Sequence, residues 1–196
     1  MLQSIGPKPL VFTTPVWVVA TYDEAGEANA MTASWGGICC SKPPCVNVSL
    51  RKATYTYGCL MERKAFTVNV PSRRFARETD FFGRATGRTT DKFAATGLTA
   101  VRSDLVDALF IGEFPVILEC ALRHTVELGL HTMFVGEVLD IKAAAEVLDD
   151  KGQPVPERVD PFSYAPGVGQ YHGLGEGLGE AGTLGRDLLA KSQHTS

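Results

Sequence analysis

Along the chain the dominant period of apolar side chains is two, the period of strands lying on a pleated sheet. Residues 15–21 (PVWVVAT) form an apolar run closed by the turn chemistry of Asp23, Glu24 and Gly26, and residues 29–35 return as a second extended piece, so the two predict a hairpin. Val46, Val48 and Leu50 alternate with Asn47, Ser49 and Arg51, which gives one strand an apolar and a polar face. Residues 66–70 read as a short strand ended by Pro71, and residues 115–128 and 131–142 as two longer strands joined near Gly129 into an antiparallel ribbon. Helices are predicted only over 54–64, with Thr54 as cap, over 72–82, opening on Ser72, and over 90–95. Without a regular strand-helix-strand rhythm, this order predicts a mainly β fold, an antiparallel barrel with short peripheral helices rather than a doubly wound sheet. Closing the barrel would also remove exposed strand edges.

From Gly152 the pattern changes. Pro154, Pro156, Pro161 and Pro166 are followed by eight glycines between Gly167 and Gly185, which argues against a packed strand or a helix there. The chain is therefore expected to divide into a barrel domain, 1–151, and a Pro/Gly-rich extension, 152–196, lying over the barrel or a partner subunit. Gly177, Gly179 and Gly182 have the G-x-G-x-x-G spacing of a dinucleotide-binding turn, but that turn needs a strand before it and a βαβ unit around it, and only 14 residues follow. The spacing is a by-product of composition.

At 196 residues and 21.1 kDa, the chain fits one domain. Its 44% apolar and 21% charged content is ordinary for a globular protein. A net charge of −3 argues against a general nucleic-acid binder. No apolar run approaches the roughly 18 residues of a membrane span, and the first residues lack the basic start and apolar core of a secretory leader, so a cytoplasmic location is expected. Five cysteines, an odd number without such a leader, are expected to be reduced rather than paired in a disulfide scaffold.

The candidate chemistry concentrates between residues 29 and 71. Ser49 and Arg51 share the polar face of one strand, and Thr54, Tyr55 and Thr56 then add hydroxyls and backbone N–H groups at a helix start, with Lys52 a second cation. A phosphate would meet a cation, hydroxyl donors and the positive end of a helix dipole there. A solvated strand end followed by an ordinary helix cap explains the same residues. Cys39, Cys40 and Cys45 lack the paired C-x-x-C units of a zinc or iron–sulfur site and read as small buried thiols. His124, His131, His172 and His194 have no i, i+4 metal spacing, so no metal site is expected. Asp149 and Asp150 belong to a turn, and Trp17 reads as core.

In order along the chain, NAMTASWGG (29–37), the loop at Pro43 and Pro44, VNVSLRKATYT (46–56) and FTVNVPS (66–72) resemble the flavin reductase-like family of FMN-binding split barrels, most of all its flavoredoxin branch. TTDKF (89–93) and HTMFVGEV (131–138) extend the resemblance. It implies a six-stranded Greek-key split β-barrel that forms a homodimer, with one FMN per subunit near the interface. Met31, Thr32, Ala33, Ser34, Trp35 and Gly36 would run along the isoalloxazine, with Trp35 covering it and backbone N–H groups reaching its carbonyl oxygens and N5. Ser49, Arg51, Lys52, Tyr55 and Thr56 would hold the ribityl phosphate, with Leu50 and Thr54 beside them and Lys92 a further neighbour. His131 would open the strand beside the flavin and help place a nicotinamide. Arg73, Arg74 and Arg77, otherwise a solvent-facing basic strip, could attract the extra phosphate of NADPH. The implied activity is hydride transfer from NADH or NADPH to FMN, with a redox protein or metal ion as possible acceptor. The alternative is an FMN electron carrier reduced by a protein partner.

Overall fold

The computed structural model describes residues 1–186 and Leu188, so the far end of the predicted extension, with His194, lies outside the described residues. The strands are β1 (Thr14–Pro15), β2 (Trp17–Tyr22), β3 (Ala28–Ala33), β4 (Gly36–Ser41), β5 (Pro44–Arg51), β6 (Ala65–Val70), β7 (Ala100–Arg102), β8 (Leu109–Ile111), β9 (Val116–Glu127), β10 (His131–Ala143), β11 (Phe162–Ala165) and β12 (Gln170–Gly173). Four short helices accompany them: α1 (Tyr55–Arg63), α2 (Ala76–Arg84), α3 (Lys92–Thr96) and α4 (Pro156–Val159). None is long and apolar enough to cross a membrane.

Seven strands form one antiparallel sheet in the order β3-β2-β6-β9-β10-β5-β4. Its two outermost strands, β3 and β4, are consecutive in the chain and separated only by Ser34 and Trp35. One short connection can join opposite edges of a sheet only if the sheet curls round on itself. The Ser49 N–H donates to the Trp35 carbonyl at 2.7 Å, which carries the β4–β5 ladder up to that junction. The fold is thus the mainly β, barrel-like antiparallel architecture that the alternation predicts.

Period two sorts the core into two compartments. Val19, Val48, Leu50, Phe66, Val68 and Phe134 pack together on one side of the curled sheet. Val18 and Ala20, one residue to either side of Val19, point the other way and pack with Phe82, Phe93, Leu109 and Ile111, which places α2, α3 and β8 over the opposite face. Trp17 packs on the first cluster, as its core assignment predicts. Phe66 fits because residue 136 is glycine; a Cβ there would lie 2.5 Å from the Phe66 ring.

Two expectations change. The Pro43, Pro44 segment is the tip of a hairpin whose first arm, β4, the sequence reading left as loop; Pro44 opens β5, where a strand tolerates the missing N–H. The extension also contains strand. β11 pairs with β1 and with β12, Phe162, Ser163 and Ala165 are buried, and Gly167 (φ 91°) and Gly169 (φ 69°) sit in the turn between the arms, where positive φ is needed. The glycines punctuate this hairpin instead of excluding it.

Candidate functional site

The β5–β10 register sets the first wall of a cleft. His131 lies opposite Arg51 and Met133 opposite Ser49, so the polar face of β5 and the start of β10 meet at one end of the sheet. There a cleft of about 660 Å³ is lined by residues 31–35 of the β3–β4 junction, by Ser49, Leu50, Arg51 and Thr54, and by His131. Asp80, Gly83 and Arg84 from α2, Leu130 before β10, and Tyr164, Gly169 and Tyr171 from the β11–β12 hairpin complete it. Trp35 and His131 are parallel, with ring centroids 6.3 Å apart and planes 5° from coplanar. Tyr164 lies 6.3 Å from Trp35, tilted by 39°, and 5.6 Å from Tyr171. Tyr171 donates to Asp80 Oδ1 at 3.1 Å, which ties the hairpin to α2. Burial and this hydrogen bond push the Tyr171 phenol up to about 12, so it stays a donor at neutral pH.

A second cavity of about 290 Å³ adjoins the first, sharing Met31, Arg51, Thr54, Gly83 and Arg84 with it. Its end wall is the start of α1. Thr54 has extended backbone, but its hydroxyl donates to the Arg51 carbonyl at 2.8 Å instead of capping the helix, and no acidic residue occupies the first turn. The first N–H groups of α1 therefore lack a side-chain cap, which leaves the positive end of the helix dipole facing the cavity. Buried Thr56 accepts from Asn29 Nδ2 at 2.9 Å, so its own proton remains to be given. Among the described residues, no carboxylate lines this cavity, and neither Arg51 nor Arg84 is in an ion pair. Gly87 closes one side, where a Cβ would stand 2.4 Å from Asn29 Oδ1 and 2.7 Å from the Tyr55 ring. Lys92 lies at the base, buried, donating to the carbonyls of Ala30 (2.7 Å) and Phe82 (3.1 Å). Burial lowers its amine to about 8.

Most of the residues singled out in the sequence meet here, but not all in the expected way. Tyr55 lines the second cavity but turns its hydroxyl away to Asp23 Oδ2 at 2.8 Å; that bond and burial raise the phenol to about 12. Lys52 does not join the expected set: it stands in the turn just after β5, pairs with Glu127 at 2.6 Å and lines neither cavity. Gly36 lines a small pocket behind Trp35, and a Cβ there would meet the Trp17 ring at 2.9 Å, so its role is close packing. Arg73 pairs with Asp160 at 3.2 Å and Arg74 lies over the Phe75 ring, and neither they nor Arg77 line the cavities. Arg84, Gly87, Tyr164 and Tyr171 were missed. The Arg84–Gly87 pair just past a predicted helix was the available signal; the two tyrosines were obscured by the glycines around them.

A family model described as "Flavin reductase like domain" matches residues 10–167. The chain belongs to this flavin reductase-like family. Flavoredoxin of Desulfovibrio vulgaris (Miyazaki F) is 45% identical and superposes with a TM-score of 0.90, covering 94% of this chain and all of that one. Flavoredoxin from Methanosarcina acetivorans is 25% identical at a TM-score of 0.87, over 95% of this chain and all of that one. A ferric-chelate reductase (NAD(P)H) of Archaeoglobus fulgidus is 34% identical over 117 residues, which are 56% of this chain and 62% of that protein.

Proposed function

We propose that the chain is an FMN flavoprotein with NAD(P)H:flavin oxidoreductase activity. The observation that carries this reading is the join between a cationic, carboxylate-free cavity at an uncapped helix start and an aromatic-walled cleft, at Arg51 and Thr54. The larger volume lies within the range of small-molecule sites, roughly 300–1,000 Å³, and the smaller at its lower edge. The donor set fits a ribityl phosphate in the smaller cavity: Arg51 and Arg84 as cations, Thr56 Oγ1 as a hydroxyl donor, and the first N–H groups of α1. The larger cleft offers a planar ring the edge of residues 31–35, with Trp35 and His131 alongside.

The chemistry supplied by bound FMN is hydride acceptance at N5 from the nicotinamide C4. The chain's own work is to orient and to stabilise. Arg51 and Thr56 fix the phosphate end and thereby the depth of the ring. Donors along 31–35 favour the negative charge that a reduced ring carries, by the same preorganised electrostatics as an oxyanion hole. His131, at the open end of β10, positions the nicotinamide, while Tyr164 and Tyr171 narrow the mouth and exclude water. A homodimer belongs to this reading, supported by exposed Ile38, Leu128, Leu139 and Ile141 on or beside β4, β9 and β10; a monomer by light scattering would remove it. So does a cytoplasmic location, in keeping with five free cysteines and checked by cell fractionation.

The second reading is an electron carrier reduced by a protein partner, favoured by the 45% identity to a flavoredoxin. Anaerobic absorbance spectra of the FMN-loaded protein before and after NADH, then NADPH, separate the two. Fast bleaching of the flavin bands by either nicotinamide is the expected result. Stable oxidised flavin, bleached only by a reduced redox protein, would move the chain to the carrier reading, and failure to bind FMN would end both.

A further inference from the structure

The β4–β5 hairpin carries a thiol cluster that the cleft does not use. Its ladder pairs Cys40 with Cys45 and, one step on, Ile38 with Val46, so Cys39 is the extra residue of a bulge. Two residues of β4 therefore oppose the single Cys45. In a regular strand Cys39 and Cys40 would point to opposite faces; the bulge lets both approach Cys45. Their nearness registers on Cys45, whose thiol is pushed up first by burial and then by Cys40 and Cys39. Cys39 and Cys40 are exposed and Cys45 is buried, so the expectation of three buried thiols holds for one only.

Facing residues of antiparallel strands have Cα atoms roughly 4.5–5.5 Å apart, inside the roughly 4.4–6.8 Å that a disulfide spans. We propose that Cys40 and Cys45 are a redox-active dithiol that closes to a cross-strand disulfide by exchange with low-molecular-weight disulfides. The Cys40 thiolate attacks one sulfur of the small disulfide, forming a mixed disulfide and releasing one small thiol. Cys45 then gives up its proton and attacks the Cys40 sulfur, releasing the second thiol. In total the protein dithiol loses two electrons and two protons, and the small disulfide gains them as two thiols. The order of attack follows from exposure: Cys40 is open to solvent, whereas buried Cys45 faces Glu137 across the ladder, a carboxylate held by Arg123 at 2.6 Å. The bond would close a very short loop and so restrain the unfolded chain little, which makes it a reversible electron store and not a staple. Cys45 stands six residues from Arg51 along β5, roughly 20 Å of strand, so the inference is independent of the flavin reading.

The test is equilibration of the purified chain with oxidised and reduced glutathione at graded ratios, alkylation of free thiols, and intact mass. The Cys39→Ser chain, which lacks the second exposed thiol that the bulge brings near Cys45, is expected to lose two alkylatable thiols with a net decrease of about 2 Da before alkylation, reversed by dithiothreitol. On that background Cys45→Ser should stop at a glutathione adduct, and Cys40→Ser should form no internal disulfide. Far-UV circular dichroism checks that each variant folds. An unreactive Cys39→Ser chain, a persistent adduct on it, disulfide-linked pairs of chains, or closure that survives the further Cys40→Ser change would each overturn the proposal.

Discussion

The two adjoining cavities share five lining residues, yet they are built on opposite principles. The larger is walled by rings: Trp35 parallel to His131, then Tyr164 and Tyr171 held to α2 by Asp80. The smaller has no aromatic face of its own beyond the Tyr55 main chain and edge; it offers guanidinium groups, a hydroxyl proton and the bare start of α1, with no carboxylate to answer them. A ring can be held by stacking in many orientations, whereas a phosphate among fixed donors has few. The difference teaches a division of labour: the small cavity sets where a ligand sits and the large one sets what can be done to it.

Arg51 apart, the largest effect on that division is expected from Gly87→Ala. Its Cβ would press on Asn29 and Tyr55, and overpacking of this kind costs about 1–3 kcal/mol, so FMN affinity should fall about tenfold or more while riboflavin, which lacks the phosphate, changes less. Equal losses for both ligands in equilibrium titrations would mean that the two cavities are not separate. Trp35→Ala should weaken FMN and riboflavin alike by about 3–10-fold, the loss of one stacking contact of about 0.5–1.5 kcal/mol; a loss confined to FMN would break the comparison from the other side.

Lys92 sharpens it through pH. Its folded value of about 8 lies below the ordinary 10.5, so between those values the unfolded chain binds more protons and stability rises with pH. Below about pH 8 both states are charged and the full penalty of the buried ammonium is present. Denaturant titrations should therefore show wild type gaining on Lys92→Met between pH 8 and 10.5; parallel profiles would place the amine in a better-solvated site than its two carbonyl contacts imply. The smallest effect is expected from Lys52→Ala, whose exposed pair with Glu127 is of the kind worth about 0–1 kcal/mol, with FMN affinity unchanged within about twofold. A tenfold loss would return Lys52 to the phosphate.

How much of this was legible in the sequence depends on the range of the interaction that decides each element. The long ribbon predicted over 115–128 and 131–142 became β9 and β10 almost residue for residue, because alternation and a turn glycine are local. The cluster from Ser49 to Thr56 was legible for the same reason. Lys52 went astray because β5 ends at Arg51 and the following turn sets it against Glu127, a partner some 75 residues away in the chain. The β11–β12 hairpin was illegible because its partner is β1, some 150 residues away, and its composition resembles loop. Tyr171 reaches the cleft only through that long-range packing, so no window of sequence could put it there, whereas the Arg84–Gly87 pair beside a predicted helix was open to a local reading.

The central claim is that Arg51 and the start of α1 hold a phosphate while the aromatic cleft holds the ring. The most direct test is the affinity of wild type and Arg51→Ala for FMN and for riboflavin at fixed ionic strength. The account predicts that FMN binding weakens about 10–100-fold, the range for a charge-assisted hydrogen bond of about 1.5–3 kcal/mol, and that riboflavin binding is unchanged. Unaltered FMN affinity, or equal loss for both ligands, would contradict it.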